Sequence, residues 1–556
     1  MVEASRRRSE TRDAPVSSRR SRIAWDGSWP LHPFLFAAAS VMTMMAGNLN
    51  HTSFGDVLHS LAYAILFALA VYLVAALVRR RFDRLSAVIA SVWVVGCLYY
   101  AGLFGPLESL LQDASFMVNA LPFALAALAL VTALAFVLRR AMVITHYVLT
   151  GIAAALLAQP VWQAAAYEWR NGAAREAYDP GRAMAEIAQY LPAGGLEAAT
   201  SRTPDIYHFV FDRYASEGIL RRHYDFDNSA IGSFLEQRGF YVARASNSNY
   251  QKTGHSLASA FYMDYLDFLE RDERVTGRNW HPIYAMLDDH RVARMLKSSG
   301  YDIIQFGSWW VGTYDNPVAD ENHPHGFSEF EMLYLRRTAL GPLFQLLPDT
   351  PLTMRLDWDN AQCQRVGPQV EQIKALAARE REQPVYVFAH ILVPHGPYVF
   401  APDGRCLGRE EAMDRGKRQG YIDQIAYANR IIEEVVTALQ DRGVSPPIIL
   451  IQADEGPFPQ HDPEVAWQDK PTEKLRIKTG ILNAIYFPNG DYGALRNDIT
   501  LVNSYRVLFN SYFGAEFPLL PDRIFAFPNY RTLYEFHDVT EKVRGPATVA
   551  AGGQEQ

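Results

Sequence analysis

The sequence predicts two unlike parts in series: a bundle of membrane helices, then an α/β domain on a mostly parallel sheet. Three observations carry this. Five apolar runs, roughly 30–48, 57–78, 85–104, 116–138 and 142–166, are each about long enough to cross a hydrocarbon core of ~30 Å. Arginines flank these runs in alternation. Arg79, Arg80, Arg81 and Arg84 separate the second from the third, and Arg139 and Arg140 the fourth from the fifth, while 49–56 and 104–115 contain no Lys or Arg. Beyond residue 203, short branched apolar runs alternate with amphipathic ones, the pattern of strands and covering helices.

At 556 residues the chain exceeds one ordinary domain. A formal net charge of −7 gives no sign of a nucleic-acid partner. Of three cysteines, Cys97 lies in an apolar run. Cys363 and Cys406 fall in the second part, where export would allow one disulfide, and two free thiols are the alternative.

Residues 1–28 read as a basic cytoplasmic tail, with seven arginines before residue 27. Residues 29–166 form the membrane domain, expected to hold five spanning helices, the first weakened by Pro30, His32 and Pro33. His59 and His146 are expected to face the bundle. The arginines place the tail and two loops in the cytoplasm, so five crossings put everything after residue 167 outside. Residues 167–202 form a linker, with an amphipathic helix over Pro180–Leu191 expected on the membrane surface. Residues 203–542 form the exported domain, and 543–556 a disordered tail without readable signal. Strands are expected at Ile206–Phe211, Tyr301–Phe306, Val385–Leu392, Ile448–Ala453 and Ile481–Phe487. Helices are expected at Asn228–Arg238, Tyr284–Ser299, Val370–Glu382 and Gln419–Arg442.

Candidate chemistry sits where these strands end. Ile448–Ala453 runs into Asp454 and Glu455, Ile206–Phe211 into Asp212, and Val385–Leu392 into Pro394 and His395. In open α/β sheets ligands lie beyond the carboxyl ends of the strands, so these groups should converge there. Carboxylates with histidine suit Zn²⁺ or Mn²⁺. The plain alternative is that the paired carboxylates cap the strand. Thr253 opens a helix after Ser246–Lys252. A hydroxyl there is either an N-cap or a nucleophile, and as a nucleophile it needs a metal to lower its pKa. Lys252 and His255 are expected to be solvated loop residues, Trp309 and Trp310 to pack in the core, and Arg476 and Arg506 to be structural.

Several stretches together resemble the sulfatase-like branch of the alkaline phosphatase superfamily: Pro204-Asp-Ile-Tyr with Asp212, Ser248-Asn-Tyr-Gln-Lys-Thr-Gly-His-Ser-Leu-Ala-Ser259, His390-Ile-Leu-Val-Pro-His-Gly-Pro-Tyr398, Gln452-Ala-Asp-Glu-Gly-Pro457 and Ile499–Arg506. In layout the chain is similar to lipoteichoic acid synthases and to phosphoethanolamine and phosphoglycerol transferases of bacterial envelopes. The resemblance implies an alkaline-phosphatase-like domain after five membrane helices, in the bacterial inner membrane. It implies one divalent metal ion, Mn²⁺ or Zn²⁺ with Mg²⁺ as a further candidate, held by Asp212, Thr253, Asp454 and Glu455. Thr253 would be the nucleophile, and His395 with His390 would hold phosphate or protonate the leaving group. His461 would be a second histidine at the substrate. Arg213 is a departure, since many relatives have a small residue after the aspartate; here it either clamps phosphate or pairs with a carboxylate. The chain departs from the family at Asp454-Glu455-Gly456, where Asp-His-Gly is usual. Glu455 adds a negative charge, which favours Mn²⁺ or Mg²⁺.

The expected activity is transfer of a phospho-alcohol head group from a phospholipid donor to an envelope glycan or lipid acceptor, through a phospho-threonine. Hydrolysis with water as acceptor is the runner-up. A non-catalytic membrane scaffold is the third reading, motivated by Glu455. A true sulfatase is disfavoured, because no Cys/Ser-x-Pro-x-Arg motif surrounds Thr253.

Overall fold

The computed structural model describes residues 24–25, 28–113, 115–193, 195–196, 203–350, 353, 361–379, 381–442, 446–459 and 464–545. Most of the basic tail, residues 546–556 and His461 lie outside the described residues.

The N-terminal part contains helices α1 (Leu31–Ala46), α2 (Leu58–Arg79), α3 (Arg84–Leu98), α4 (Tyr100–Leu111), α5 (Phe116–Val137) and α6 (Met142–Asn171). Three of the described helices, α2, α5 and α6, are long and apolar enough to cross a membrane. Counting α3 and α4, bent by 44° at Tyr99, as one broken span makes four. The expected five spans are thus three or four by length and composition. The reason is α1, whose 16 residues extend only about 24 Å. α1 packs against α2, α3 and α6 and buries Phe36, Val41 and Met45. His146 does face the bundle, where its Nδ1 lies 3.1 Å from His32 Nε2. His59 instead pairs with Glu331 at 3.4 Å and is exposed.

The second part is built on a seven-stranded sheet: β1 (Ile206–Phe211), β2 (Tyr241–Val242), β3 (Asp302–Phe306), β4 (Glu321–His323), β5 (Val385–Ile391), β6 (Ile448–Gln452) and β7 (Asn483–Tyr486), in the order β2-β7-β6-β1-β5-β3-β4. Strands β6, β1, β5, β3 and β4 pair in parallel, and β7 pairs antiparallel with both β6 and β2. The central strands are buried throughout and mostly apolar, because both faces are covered; His208, His390 and Gln452 are their polar residues. Ile206, Val210, Ile448 and Leu450 enter one core with Phe261, Tyr505 and Phe509, while Phe209, Phe211, Ile449 and Ile451 enter the other with Ile425, Ile432 and Val436.

Helix boundaries differ from expectation at points with a physical cause. The expected helix 284–299 is two, His281–Asp288 and Arg291–Ser298, because the His290 side chain caps the second by accepting from the Ala293 N–H. The helix expected at 370–382 runs over Ala361–Ala377, and Arg409–Gln440 begins earlier than expected and turns at Gly416, φ +67°. The apolar face of the helix Pro180–Ile187 is turned into the second part. Ala183 and Ile187 enter the core of that part, and Arg291, 2 % exposed, holds the helix through Ala183 O (2.8 Å) and Glu186 (2.5 Å). Cys363 and Cys406 form a disulfide across 43 residues.

The two parts touch through hydrogen bonds to backbone carbonyls of the N-terminal part. The Trp280 N–H donates to Asn50 O (2.9 Å), His281 Nε2 to Leu49 O (2.9 Å) and the Ala339 N–H to Cys97 O (2.8 Å).

Candidate active site

Strand register assembles the site. Val210 of β1 sits opposite His390 of β5 on one side and Gln452 of β6 on the other. Asp212, just past β1, therefore reaches the same edge as Asp454, just past β6. The Asp212 N–H continues the ladder to Ile391 O (3.0 Å). The chain then turns at Arg213, φ +64°, a left-handed conformation costly for a residue with a Cβ. The Arg213 N–H donates to Asp454 Oδ1 (3.1 Å), which ties that turn to the carboxylate.

Asp212, His390 and Asp454, all buried, each bring one ligand atom within 4.8 Å of the others. Asp212 Oδ1, His390 Nε2 and Asp454 Oδ2 are buried without a hydrogen-bond partner. Orphaned polar atoms are costly inside a protein, and a cation held among these three residues would satisfy them. His390 is oriented for this: its Nδ1 lies 2.8 Å from Thr313 Oγ1, itself 2.8 Å from Ser308 Oγ, and Nε2 lies 3.3 Å from Asp212 Oδ2. Holding the far nitrogen of a histidine by a fixed partner is how proteins aim the near one at a metal.

The carboxylates divide as two close like charges must. Burial pushes Asp454 up to about 7, Asp212 and Glu455 push the same way, and His390 and the Thr253 hydroxyl oppose. Burial also acts to raise Asp212, but His395, His390 and Arg213 outweigh it and hold that carboxyl well below the usual range.

Glu455 stands outside this group of three. Its Oε1 accepts from Arg213 Nε (3.0 Å) and from the fully buried Lys478 Nζ (2.6 Å). Burial acts to raise Glu455, but Lys478, Lys252 and Arg213 outweigh it and leave it lowered. Lys478 goes the other way from a cation with one anionic neighbour: burial lowers it to about 7 and Lys252 and Arg213 repel it. Gly456 fixes this pair. A Cβ there would lie 2.1 Å from Ile477 O, and its N–H donates to Lys478 O (2.8 Å).

Thr253 is the first residue of the helix Thr253–Tyr262, whose N-terminal N–H groups and dipole favour an anion at the site. Lys252 is buried, contrary to expectation, with Nζ over the rings of Phe458 (4.7 Å) and Tyr530 (4.9 Å). His255 is also buried: its Nε2 lies 3.0 Å from Leu533 O among aromatic rings, because the helix face that carries it packs inward. His395 is pushed down to about 4, mainly by burial. Its Nδ1 donates to the Gly396 carbonyl. Trp310 packs partly into the core, and both Trp309 and Trp310 line the cavity in front of Thr253. Arg476 and Arg506 bind backbone carbonyls, as structural residues do. The cavity is about 670 Å³ and is lined by Asp212, Arg213, Lys252, Thr253 and His395 on one side and by Asn48 and His59 of the membrane part on the other.

Sequence reasoning picked out Asp212, Arg213, Thr253, His390, His395, Asp454 and Glu455, and the fold brings them to one edge. It missed Lys478 and Thr313. Neither lies in a recognisable motif, and only the helix Thr472–Thr479 ahead of β7 and the short helix Val311–Tyr314 after β3 bring them in.

Residues 231–478 match the Sulfatase family model. The match spans Thr253, His390, His395, Asp454, Glu455 and Lys478, and it lies behind the helices that are long and apolar enough to cross a membrane. Among solved structures, the zinc complex of the C-terminal periplasmic domain of EcEptC from Escherichia coli is similar at 11% identity and a TM-score of 0.37, covering 62% of this chain and 96% of that one. The integral membrane protein lipooligosaccharide phosphoethanolamine transferase A from Neisseria meningitidis is similar at 12% identity and a TM-score of 0.35, covering 88% of this chain and 96% of that one. The phosphonate monoester hydrolase of Agrobacterium radiobacter is similar at 13% identity and a TM-score of 0.36, covering 58% and 80%. No curated protein matches the chain.

Proposed function

We propose that this protein is a membrane-anchored, metal-dependent phosphotransferase that moves a phospho-alcohol head group, phosphoethanolamine or phosphoglycerol, from a phospholipid to an envelope glycan or lipid. The observation that carries the reading is the buried group Asp212, His390 and Asp454, with one ligand atom of each within 4.8 Å of the others and a polar atom on each lacking a hydrogen-bond partner, together with Thr253 at a helix N-terminus. In this reading α1 makes a fifth crossing, so the catalytic domain lies outside the inner membrane.

Asp212, Asp454 and His390 would hold one divalent cation, Mn²⁺ or Zn²⁺, with Thr253 beside it. Such a cation neutralises the carboxylates and lowers the pKa of a nearby hydroxyl. Glu455 serves as the counter-ion of Arg213 and Lys478 rather than as a ligand, which accounts for a carboxylate where the family has histidine. Arg213 and Lys252 face the cavity and hold phosphoryl oxygens, where charge stabilisation does most of the work. The Thr253 oxygen bonds to phosphorus, the ester bond to diacylglycerol breaks, and the departing oxygen takes up a proton equivalent to the one Thr253 gave up. In the second step an acceptor hydroxyl displaces Thr253. His395, neutral with its Nδ1 proton on Gly396, offers Nε2 to take the acceptor's proton.

The test is purified full-length protein in detergent with mixed bacterial phospholipids and Mn²⁺, read by mass spectrometry. Diacylglycerol should form, and should be lost with Thr253→Ala or chelator. A free phospho-alcohol as sole second product identifies water as the acceptor and turns the reading to hydrolysis. Protein that binds no metal and forms no diacylglycerol refutes both and leaves the scaffold.

A further inference from the structure

Nine large apolar side chains are exposed among the described residues 203–545, and five of them fall within fifteen residues: Leu333, Leu340, Leu343, Leu346 and Leu347, each 38–49 % exposed. Two others, Phe458 and Tyr530, stand over Lys252 at the active site. Clustering of this kind on an otherwise polar domain marks an interaction surface.

The five leucines lie on a helical hairpin, Glu329–Arg337 and Leu340–Leu346. Its first helix starts on a capping box between Ser328 and Glu331. The corner is tight: a Cβ on Gly341 would lie 2.3 Å from Arg336 O. One side is seated on the membrane helices. Phe330 and Tyr334 bury into the same cluster as Phe36, Val41 and Ala68, and Tyr334 Oη lies 2.7 Å from Ser40 Oγ of α1. The second helix packs against α5. The leucines lie on the remaining, exposed side, with Arg336 and Arg337 also exposed at the corner between the two helices.

Depth follows from α3. The Ala339 N–H donates to Cys97 O (2.8 Å). Cys97 lies thirteen residues of helix beyond Arg84, one of the cytoplasmic arginines, hence about 20 Å from the inner boundary at most. The hydrocarbon core is ~30 Å thick. The hairpin therefore sits below the outer boundary, level with the acyl chains of the outer leaflet, and its leucines continue the exposed apolar surface of the α4 and α5 helices it packs on.

We infer that residues 328–347 are a membrane-inserted hairpin of the catalytic domain, with Leu333, Leu340, Leu343, Leu346 and Leu347 against outer-leaflet acyl chains. Glu329, Phe330 and Leu333 of this hairpin also line the cavity in front of Thr253. The hairpin is thus the wall between the acyl region and the site.

The unmodified full-length chain, in nanodiscs of phosphatidylcholine carrying a photoreactive diazirine near the acyl terminus, should yield lipid adducts on peptides spanning 333–347 as well as on α2 and α5. Adducts confined to α1–α6 would overturn the inference. A second measurement uses a Cys97→Ser background with a fluorophore on Leu343→Cys, Leu346→Cys or, as the reference, Met413→Cys, which replaces an exposed residue of the soluble helix 409–440. Quenching by doxyl-labelled lipid at 343 and 346 should exceed that at 413 by at least about twofold, with iodide giving the reverse order. Equal quenching at all three positions would overturn it. Neither measurement depends on turnover, so failure of the proposed activity leaves this result standing.

Discussion

Removing the Cys363–Cys406 disulfide should weaken the catalytic domain by an amount that follows from its position. The bond closes a loop of 43 residues. On a chain-entropy basis, denying that loop to the unfolded state stabilises the fold by about 4 kcal/mol at 25 °C. The loop it closes carries β5 and the His395 segment. Next to Cys363, Gln362 Nε2 donates to Gly396 O (3.3 Å), and Gln424 Nε2 donates to His395 O (2.9 Å). Cys406 lies in a bridge to Phe400 on the same segment. The bond therefore staples the backbone behind His395 to the helix Ala361–Ala377. The assay is chemical and thermal unfolding of the full chain in detergent, oxidised against a Cys363→Ser/Cys406→Ser variant, with hydrogen exchange read at 395–407. Exchange there should rise well before global unfolding. Thiol titration of denatured, unreduced protein should find one free cysteine, Cys97. Three free thiols, or a stability difference under about 1 kcal/mol, would refute the reasoning.

Two further outcomes are expected. Burial raises Asp288 to about 7, with Asp315, Asp56 and Asp289 pushing the same way. Its folded pKa lies above the unfolded one, so the folded state holds the extra proton between about pH 4 and 7, and stability falls as pH rises through that window. Asp288→Asn should therefore be more stable than the parent at pH 8, by up to about 4 kcal/mol, with the difference gone near pH 4 in thermal unfolding; a pH-independent difference would contradict this. Arg291→Met should leave the Ala183 and Tyr262 carbonyls unpaired, cost about 2–4 kcal/mol locally, and raise hydrogen exchange over 180–187; unchanged exchange there would show that the linker helix is held by its apolar face alone.

Much of the site was legible because its residues stand where a strand pattern ends. A branched apolar run has a definite end, and Asp212, Asp454 and Glu455 each follow one. Thr253 was legible as the start of a periodic segment. The roles at the edge were not. Glu455 occupies a ligand position by motif, yet its oxygen goes to Lys478, which arrives through the helix Thr472–Thr479 and has no sequence signal of its own. Lys252 and His255 looked like solvated loop residues because a single chain does not reveal that Phe458, Tyr530 and Leu533 fold over them.

The sequence by itself determined the quantities that depend on local composition and period: the apolar helices, the arginine alternation, the central parallel strands and the residues at their carboxyl ends. Hydropathy and alternation are properties of neighbours along the chain. Tertiary structure alone decided which of those residues meet. It set β7 antiparallel, paired Cys363 with Cys406, turned Glu455 toward a buried lysine, aimed His390 at Asp212, and laid the 328–347 hairpin on α5. Each of these is a contact between segments distant in sequence, fixed by strand register and by the cost of leaving a buried polar atom unpaired.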